Sequence, residues 1–285
     1  MGPIFLKWAG GKAQSLPRIA PHIPAVVRNY YEPFLGGGSV LFHVLQTTRV
    51  TGQVVANDIN PRLIHLYKSV QSDVAALLEE LRALEEEAKN APSAEEFYYV
   101  ARDLYNENPD LDTWGDALFV YLNHNGFRGL YRENASGAFN VPFGHYKQVM
   151  LPAPSTFMQA HELLSRNQVT FECKNACELL DDADLGPEDL VFLDPPYEKI
   201  APTTFVAYHA GGAHFDPEHL CSWLERCACP AIFTNHATEA LKARFAHFPV
   251  CEVFSARRAI HAHKPEARAD ELLVCTRPPP PHVAQ

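Results

Sequence analysis

The chain has 285 residues, 47% of them hydrophobic, with 34 acidic side chains against 24 basic ones and a formal net charge of −10. This is the size and composition of one large globular domain, or of a domain carrying an insertion, with apolar content enough for a core. No run approaches the ~20 apolar residues of a membrane span, Met1 to Trp8 lacks the pattern of a signal peptide, and seven scattered cysteines argue against a disulfide framework.

Residues 29–34 read as a strand ending at Glu32-Pro33-Phe34, followed by Gly36-Gly37-Gly38 and a helix starting at Ser39. Strand, glycine loop and helix in that order let backbone N–H groups approach a ligand closely. Val54 to Asp58 read as a second strand with a carboxylate at its end. That acid falls about twenty residues after the glycines, where a Rossmann-type unit sets a carboxylate on ribose hydroxyls. Residues 73–89 read as a charged amphipathic helix. Ser93 opens another, with Glu96 completing a capping box and Phe97, Val100 and Leu104 following. From Asp73 to Asp112 twelve acidic residues stand against three basic ones, so the remainder of the chain is close to neutral. The net charge therefore describes one solvated helical region and leaves a nucleic-acid partner open elsewhere.

From Leu122 to Met150 the periodicity fades into glycine, asparagine and aromatics, with Arg128, Arg132 and Lys147 against Glu133. A long structured loop or hairpin of this kind is commonly functional. Arginine and asparagine can read base edges, and aromatic rings can stack or wedge. An irregular insertion packed by its own aromatics is the alternative.

Leu190-Val191-Phe192-Leu193 is a short buried-strand pattern, and Asp194-Pro195-Pro196-Tyr197 stands at its exit, where open α/β sheets bind ligands. Two prolines stiffen the backbone and remove two N–H donors. What remains is the Asp194 carboxylate, nearby carbonyls and the Tyr197 ring, a rim suited to a planar group bearing an amino donor, such as a nucleobase. A plain strand exit with a proline turn fits the tetrapeptide equally. His219, Cys221, Cys227 and Cys229 lack paired C-x2-C spacing, and no metal site is expected. Ala231 to Asn235, Glu252 to Phe254 and Leu272 to Cys275 read as further strands. A basic turn from Arg257 to Ala269, with Arg257, Arg258, Lys264 and Arg268 against Glu266, joins the last two into a hairpin closing a parallel sheet. Arg277 to Pro281 reads as an extended tail.

Together these segments resemble the Dam family of DNA adenine-N6 methyltransferases, the D12 class, over nearly the whole chain. Lys7-Trp8-Ala9-Gly10-Gly11-Lys12 is similar to the family's N-terminal motif, Glu32 to Ser39 to its cofactor loop, Asn57-Asp58-Ile59-Asn60 to its ribose-binding motif and Asp194 to Tyr197 to its catalytic motif. Thr204 to His209, Thr234-Asn235-His236 and Asp270 to Leu273 are similar to later blocks. The order, with cofactor motifs first, then a recognition insert, then the catalytic motif, is that of the α-group of amino-methyltransferases. The resemblance implies a fold of class α/β: a Rossmann-like S-adenosylmethionine-dependent methyltransferase sheet with helices on both faces, an antiparallel C-terminal hairpin and a small helical and loop insert for DNA recognition. It divides the chain into a discontinuous catalytic domain, residues 1–60 and 165–277, an insert at 61–164, and a flexible Pro-rich tail at 278–285.

The resemblance also implies chemistry. S-adenosyl-L-methionine would be the methyl donor, and an adenine flipped out of double-stranded DNA, in GATC, the acceptor. Trp8, Lys12, Phe34, Gly36, Gly37, Gly38, Asp58 and Asp194 would contact the cofactor, with Asp58 on the ribose. Asp194 and the Pro195 carbonyl would grip the amino group, Pro196 would stiffen the motif and Tyr197 would stack on the base. DNA would be met by Phe127, Arg128, Leu130, Arg132, Asn140, Pro142, His145, Arg257 and Arg258. Three departures stand out: Arg128 where the family usually has Asn, His145 where Arg is usual, and Asn175-Ala176 where relatives often carry Asp-Phe beside the cofactor adenine. The expected protein is a cytoplasmic, nucleoid-associated monomer that works alone or beside a separate restriction endonuclease. Two other classes compete. A nicotinamide-dependent dehydrogenase would use the glycine loop and Asp58, but it leaves Asp194 to Tyr197 without a role. A non-catalytic DNA-binding relative would not need that motif intact.

Overall fold

Alternation within short apolar runs builds the sheet of this protein, seen here in a computed structural model that describes residues 2–196, 216–257 and 268–279. A short helix, α1 (Leu16–Ile19), and a two-residue strand, β1 (Val26–Val27), lead into β2 (Tyr30–Glu32). Next come α2 (Ser39–Thr47), the short β3 (Arg49–Val50) and β4 (Val54–Asn57). Five helices follow: α3 (Pro61–Ser72), α4 (Val74–Asn90), α5 (Ala94–Glu107), α6 (Thr113–Asn125) and α7 (Pro154–Arg166). The chain then returns to the sheet through β5 (Thr170–Glu172), α8 (Ala176–Asp182), β6 (Leu190–Leu193), α9 (Pro217–Arg226), β7 (Ala231–His236), α10 (Glu239–Phe245), β8 (Val250–Arg257) and β9 (Arg268–Cys275).

The main sheet runs β5-β4-β2-β6-β7-β9-β8. Its first five strands are parallel, and β9 is antiparallel to both β7 and β8. This is the Rossmann-like sheet with an antiparallel C-terminal hairpin that the motif order implies. The chain moves outward from β2 through β4 to β5, then restarts at β6 beside β2 and moves the other way. The order reverses between β2 and β6, which puts the ligand-binding crevice at the carboxyl ends of those two strands.

Neighbouring residues in each central strand serve opposite faces, as the two-residue period requires. Tyr30, Val54, Ala56, Leu190 and Phe192 pack into one core together with Leu41 and Phe42 of α2, Tyr67 of α3 and Phe157 of α7. Tyr31, Val55, Val191, Leu193 and Phe233 pack into a second core with Leu179 of α8, Leu224 of α9 and Phe245 of α10. Helices thus cover both faces, which is why these strands read as continuous apolar runs. The first core continues without a break through α3–α7.

Several boundaries differ from the sequence reading. The strand expected at 29–34 spans only Tyr30–Glu32, because Pro33 cannot donate to a neighbouring strand. The helix expected from 73 begins at Val74, capped by the Asp73 carboxylate on Ala76 N. Ser93 caps α5 through Glu96 N as the spacing predicts. The irregular segment expected from Leu122 starts later, since α6 runs to Asn125. That helix is buried on nearly every side and so shows no amphipathic period to read. The turn expected at 257–269 is shorter, because Arg257 and Arg268 are paired ends of β8 and β9. Its remainder, including Arg258, Lys264 and Glu266, lies outside the described residues, as do Tyr197 and Thr204 to His209.

The base of the crevice strands is pinned by one carboxylate. Asp189, fully buried just before β6, accepts from Arg28 Nε (2.8 Å) and Nη2 (2.5 Å), Asn29 N (3.0 Å) and Gly186 N (2.7 Å). Burial pushes its pKa up, but the donors from Arg28, Gly186 and Asn29 outweigh that and hold it below the ordinary value. These bonds fix the register of β2 against β6. Asp189→Ala is expected to cost about 1–3 kcal/mol of unfolding free energy, because it removes the single acceptor that joins Arg28, Asn29 and Gly186 at the start of β6. Urea denaturation followed by circular dichroism would measure it.

Candidate active site

The crevice between β2 and β6 is built from three loops. The first follows β2. Leu35 N donates to Asn57 O (2.8 Å) and Gly38 N to Leu35 O (2.9 Å), folding the loop back over the end of β4. Gly36 and Gly38 have φ of +48° and +67°, in the left-handed region that glycine tolerates. A Cβ on Gly36 would meet the Trp8 ring at 2.8 Å, and one on Gly38 would meet Tyr67 Oη at 2.5 Å. The glycines are therefore needed twice over, for conformation and for space. They expose the N-terminus of α2, which Gly38 opens without a side-chain cap.

The second loop follows β4. Asp58 Oδ2 accepts from Gly36 N (3.0 Å) and Oδ1 from Asn60 N (3.0 Å), so both oxygens are oriented by backbone donors. Asn57, buried beside it, donates to Pro33 O (3.0 Å) and Lys174 O (3.0 Å), tying the ends of β2, β4 and β5 together. The third loop follows β6. Asp194 Oδ2 pairs with Lys12 Nζ (2.7 Å), and Oδ1 accepts from Thr234 Oγ1 (2.9 Å). Lys12 also donates to Gly10 O (2.7 Å), and its backbone N donates to Ser39 Oγ (3.1 Å) at the start of α2. Burial raises the Asp194 pKa above the ordinary carboxylate value, opposed by the charge and hydrogen bond of Lys12 and the hydroxyl of Thr234. Glu271 on β9 adds to the upward push.

A second acid lies behind the first. Glu32, at the end of β2, is buried and accepts from Tyr30 Oη (2.6 Å). Burial pushes its pKa up to about 8, with the negative charge of Asp194 contributing. Glu32 is thus held largely protonated at neutral pH. Trp8 closes the crevice on the other side, stacked on Tyr131 (6.0 Å, 22°) and Phe119 (6.5 Å, 11°). The segment that carries it is anchored by Asn123. Asn123 Oδ1 accepts from Lys7 N (2.9 Å), while its Nδ2 donates to Lys7 O (2.7 Å) and Gly129 O (3.2 Å).

Of the expected cofactor residues, the structure gathers Trp8, Lys12, Gly36, Gly37, Gly38, Asp58 and Asp194 around this crevice, with Phe34 on the loop between. Pro195 is buried and Pro196 partly so. Expected DNA residues form a separate arm. Phe127 N donates to Pro142 O (2.8 Å), Asn140 N to Arg132 O (3.0 Å) and Asn134 N to Ala138 O (2.9 Å), making a hairpin-like loop. Arg132 donates through Nε to Asn140 Oδ1 (2.5 Å) and through Nη2 to Asn140 O (3.0 Å). Phe127 and Leu130 are partly buried, Pro142 and His145 exposed, and Arg128 lies 5.3 Å over the Phe127 ring. Arg128 and His145 both have positive φ, +57° and +56°. Arg257 is remote in sequence, at the end of β8. Asn175, noted as a departure, caps α8 through Cys177 N (2.9 Å).

The sequence reading gave no role to Thr234, Asn123, Tyr131 or Glu32. Thr234 stood in a matching block, and its place in a strand beside the one bearing Asp194 was the signal available. Glu32 likewise opened the block matched to the cofactor loop, whereas Asn123 and Tyr131 had no local signal. Among the described residues no group of three or more His, Cys, Asp or Glu is placed to hold a metal ion, and no helix is long and apolar enough to cross a membrane. All seven cysteines are free thiols.

A sheet of this order, with a glycine loop, a carboxylate and an acceptor-edged motif at its switch point, defines an α/β enzyme of the Rossmann-like methyltransferase class. The chain belongs to the D12 class of N6 adenine-specific DNA methyltransferases, whose family model matches residues 8–255. It is 38% identical over 214 residues to the type II methyltransferase M.MjaIII of Methanocaldococcus jannaschii, covering 72% of each chain. It is 34% identical over 275 residues to the retron Ec67 DNA adenine methylase of Escherichia coli, covering 95% of this chain and 90% of the relative. Against the DNA adenine methylase of Escherichia coli K12 the figures are 32% over 280 residues, 96% and 95%. Membership implies S-adenosylmethionine as methyl donor and DNA as substrate.

Glu32 makes stability depend on pH. The unfolded side chain releases its proton near the ordinary value of 4.5, whereas the folded one keeps it until about 8. Between those values the folded state binds the extra proton, so this contribution to stability is full below the lower value and lost as pH rises through the upper one. Glu32→Gln is expected to flatten the decline in melting temperature between pH 5 and 8, measured by calorimetry across that range.

Proposed function

We propose that the protein transfers a methyl group to N6 of an adenine in double-stranded DNA, within GATC, with the base turned out of the duplex into the crevice at the end of β6. The observation that carries this reading is the Asp194 carboxylate, held between Lys12 and Thr234 at the switch point and followed by two residues without N–H donors. An acceptor-only edge selects an amino group. Asp rather than Ser at its first position favours adenine over cytosine.

The residues present fit S-adenosylmethionine. Asp58, with its oxygens oriented by Gly36 N and Asn60 N, is set to hold ribose hydroxyls. Gly36 and Gly37 let Trp8, and Gly38 lets Tyr67, pack directly against the backbone of the loop, which keeps its N–H groups at the crevice. Phe34 to Gly38 line the methionine side, and Trp8, Lys12 and Asp194 contact the cofactor, whose cationic sulfonium suits carboxylate surroundings. Bound there, the cofactor supplies an electrophilic methyl group.

An amine conjugated to a purine is a poor nucleophile because its lone pair is shared with the ring. Hydrogen bonds from N6–H to the Asp194 carboxylate and the Pro195 carbonyl draw the nitrogen toward pyramidal geometry and aim its lone pair. Pro196 stiffens the turn, and Tyr197 stacks on the base by the resemblance alone. Rate comes from positioning and electrostatics, with no covalent enzyme intermediate. Extruding the base costs a few kcal/mol. Phe127, backed by Arg128, is the wedge that offsets that cost.

Reading of the site falls to Leu130, Arg132, Asn140 and Pro142. The bonds from Arg132 to Asn140 fix the guanidinium plane, which favours bidentate contact with a guanine edge. Arg128, Arg257 and Arg258 supply phosphate contacts, and His145, standing where Arg is usual, makes a weaker one. On this reading residues 1–60 and 165–277 form the catalytic domain, residues 61–164 the helical and recognition insert, and 278–285 a tail. The protein acts as a monomer in the cytoplasm, at the nucleoid, alone or beside a separate restriction endonuclease.

Labelled methyl transfer to duplexes carrying GATC or a scrambled site tests the reading. Labelling of adenine in the GATC duplex is expected, with Asp194→Ala lowering turnover at least ~1,000-fold while duplex binding stays measurable. Cofactor binding without adenine labelling would sink it. Arg132→Ala is expected to relax discrimination at one base pair by about 1–3 kcal/mol, seen as labelling of single-substitution duplexes.

A further inference from the structure

The two oxygens of Asp194 are held by partners of different kinds. Thr234 is fully buried on β7, one residue beyond the Leu193–Phe233 pair that registers β6 against β7. Its side chain is β-branched and stiff at χ1, and it can reach Asp194 Oδ1 (2.9 Å) and Leu193 O (3.5 Å). A hydroxyl has one hydrogen to donate, and the shorter contact takes it. Lys12 reaches Oδ2 from the N-terminal segment and also donates to Gly10 O. One oxygen is held from within the sheet, and the other by an ammonium from the N-terminal segment.

We propose that Thr234 is a positioning residue for methyl transfer: it locks the Asp194 carboxylate through Oδ1 and so presents Oδ2 toward the amino group of the substrate. The inference rests on the role proposed above for Asp194 and adds the residue that aims it. Thr234 does not touch the substrate. It selects one carboxylate rotamer, and its donated hydrogen favours the ionised form that accepts from N6–H. The titratable groups around that carboxylate are Lys12 from the N-terminal segment, Glu32 from β2 and Glu271 from β9. Only Lys12 among them favours ionisation, so loss of the hydroxyl donor leaves Asp194 easier to protonate.

The test is single-turnover methyl transfer to a GATC duplex by Thr234→Val and Thr234→Ser, with cofactor and duplex affinities measured separately. Thr234→Val keeps shape and removes the donor. It is expected to slow transfer about 10- to 100-fold, to leave both affinities within about threefold, and to move the acidic limb of the rate profile to higher pH. Thr234→Ser keeps the donor and is expected to recover the rate and the limb. A wild-type rate and an unmoved limb in Thr234→Val, with Asp194→Ala inactive, would overturn the role of Thr234 alone. An active Asp194→Ala would instead remove the reading of the site beneath it. If Thr234→Val does not fold, Thr234→Ala enters the same assay. Failure of both to fold while Asp194→Ala folds would assign Thr234 to stability and overturn the proposal.

Discussion

A carboxylate taken out of water must find partners or lose its charge, and the organisation of this protein follows from how it meets that demand at Asp194. Lys12 comes from 182 residues upstream and Thr234 from 40 residues downstream. Their convergence requires β7 to lie beside β6, and the N-terminal segment to cross the carboxyl ends of the strands. Asn123 holds that segment by pairing with both backbone groups of Lys7, much as a neighbouring strand would. Ser39 fixes the backbone at Lys12 itself. The ammonium therefore reaches the acid from a defined direction.

The same crossing couples two parts of the molecule. Trp8 leans on the glycine loop on one side and stacks on Tyr131 and Phe119 on the other. Tyr131 stands between Leu130 and Arg132 in the 127–143 arm, and Phe119 lies in α6. The crevice and the arm thus share one aromatic stack, with ring planes within 22° of one another. Helix α5 backs this arrangement through Tyr105, whose ring meets Phe119 and whose hydroxyl meets Tyr131, while α4 and α5 turn their acidic residues away from it. Their charge sits on exposed faces, so a chain of net charge −10 can still carry an arm rich in cationic and amide side chains.

Two departures from the family pattern coincide with the backbone. Arg128 and His145 both occupy the left-handed region. Asparagine and histidine are among the residues found there more often, and arginine is not. The Asn usual at the first position suits the conformation better than the arginine present, which holds it against a strain of about 1 kcal/mol or more. Arginine in return places a cation over the Phe127 ring. The third departure, Asn175, is a helix cap whose side chain holds Cys177 N.

Much of the fold was legible in the chain. The apolar runs at Val54, Leu190 and Ala231 lie in strands, Ser93 caps the helix its spacing requires, and the acid and glycine motifs fall at strand ends because sheets of this kind place their ligand loops there. What escaped the reading was whatever lacked a local period. Helix α6 is buried all round, so its pattern does not repeat at 3.6 residues. Asn123 and Thr234 are unremarkable in sequence, since their partners are 116 and 40 residues away. Period and spacing are local properties, and they were enough to set the glycine loop, Asp58 and Asp194 at the ends of strands. The pairing of Asp194 with Lys12 and Thr234, the burial of Glu32 near it, and the contact of the 127–143 arm with the glycine loop through Trp8 appear in the folded chain alone. Those meetings depend on strand order and helix crossing, which bring together residues that local spacing leaves unrelated.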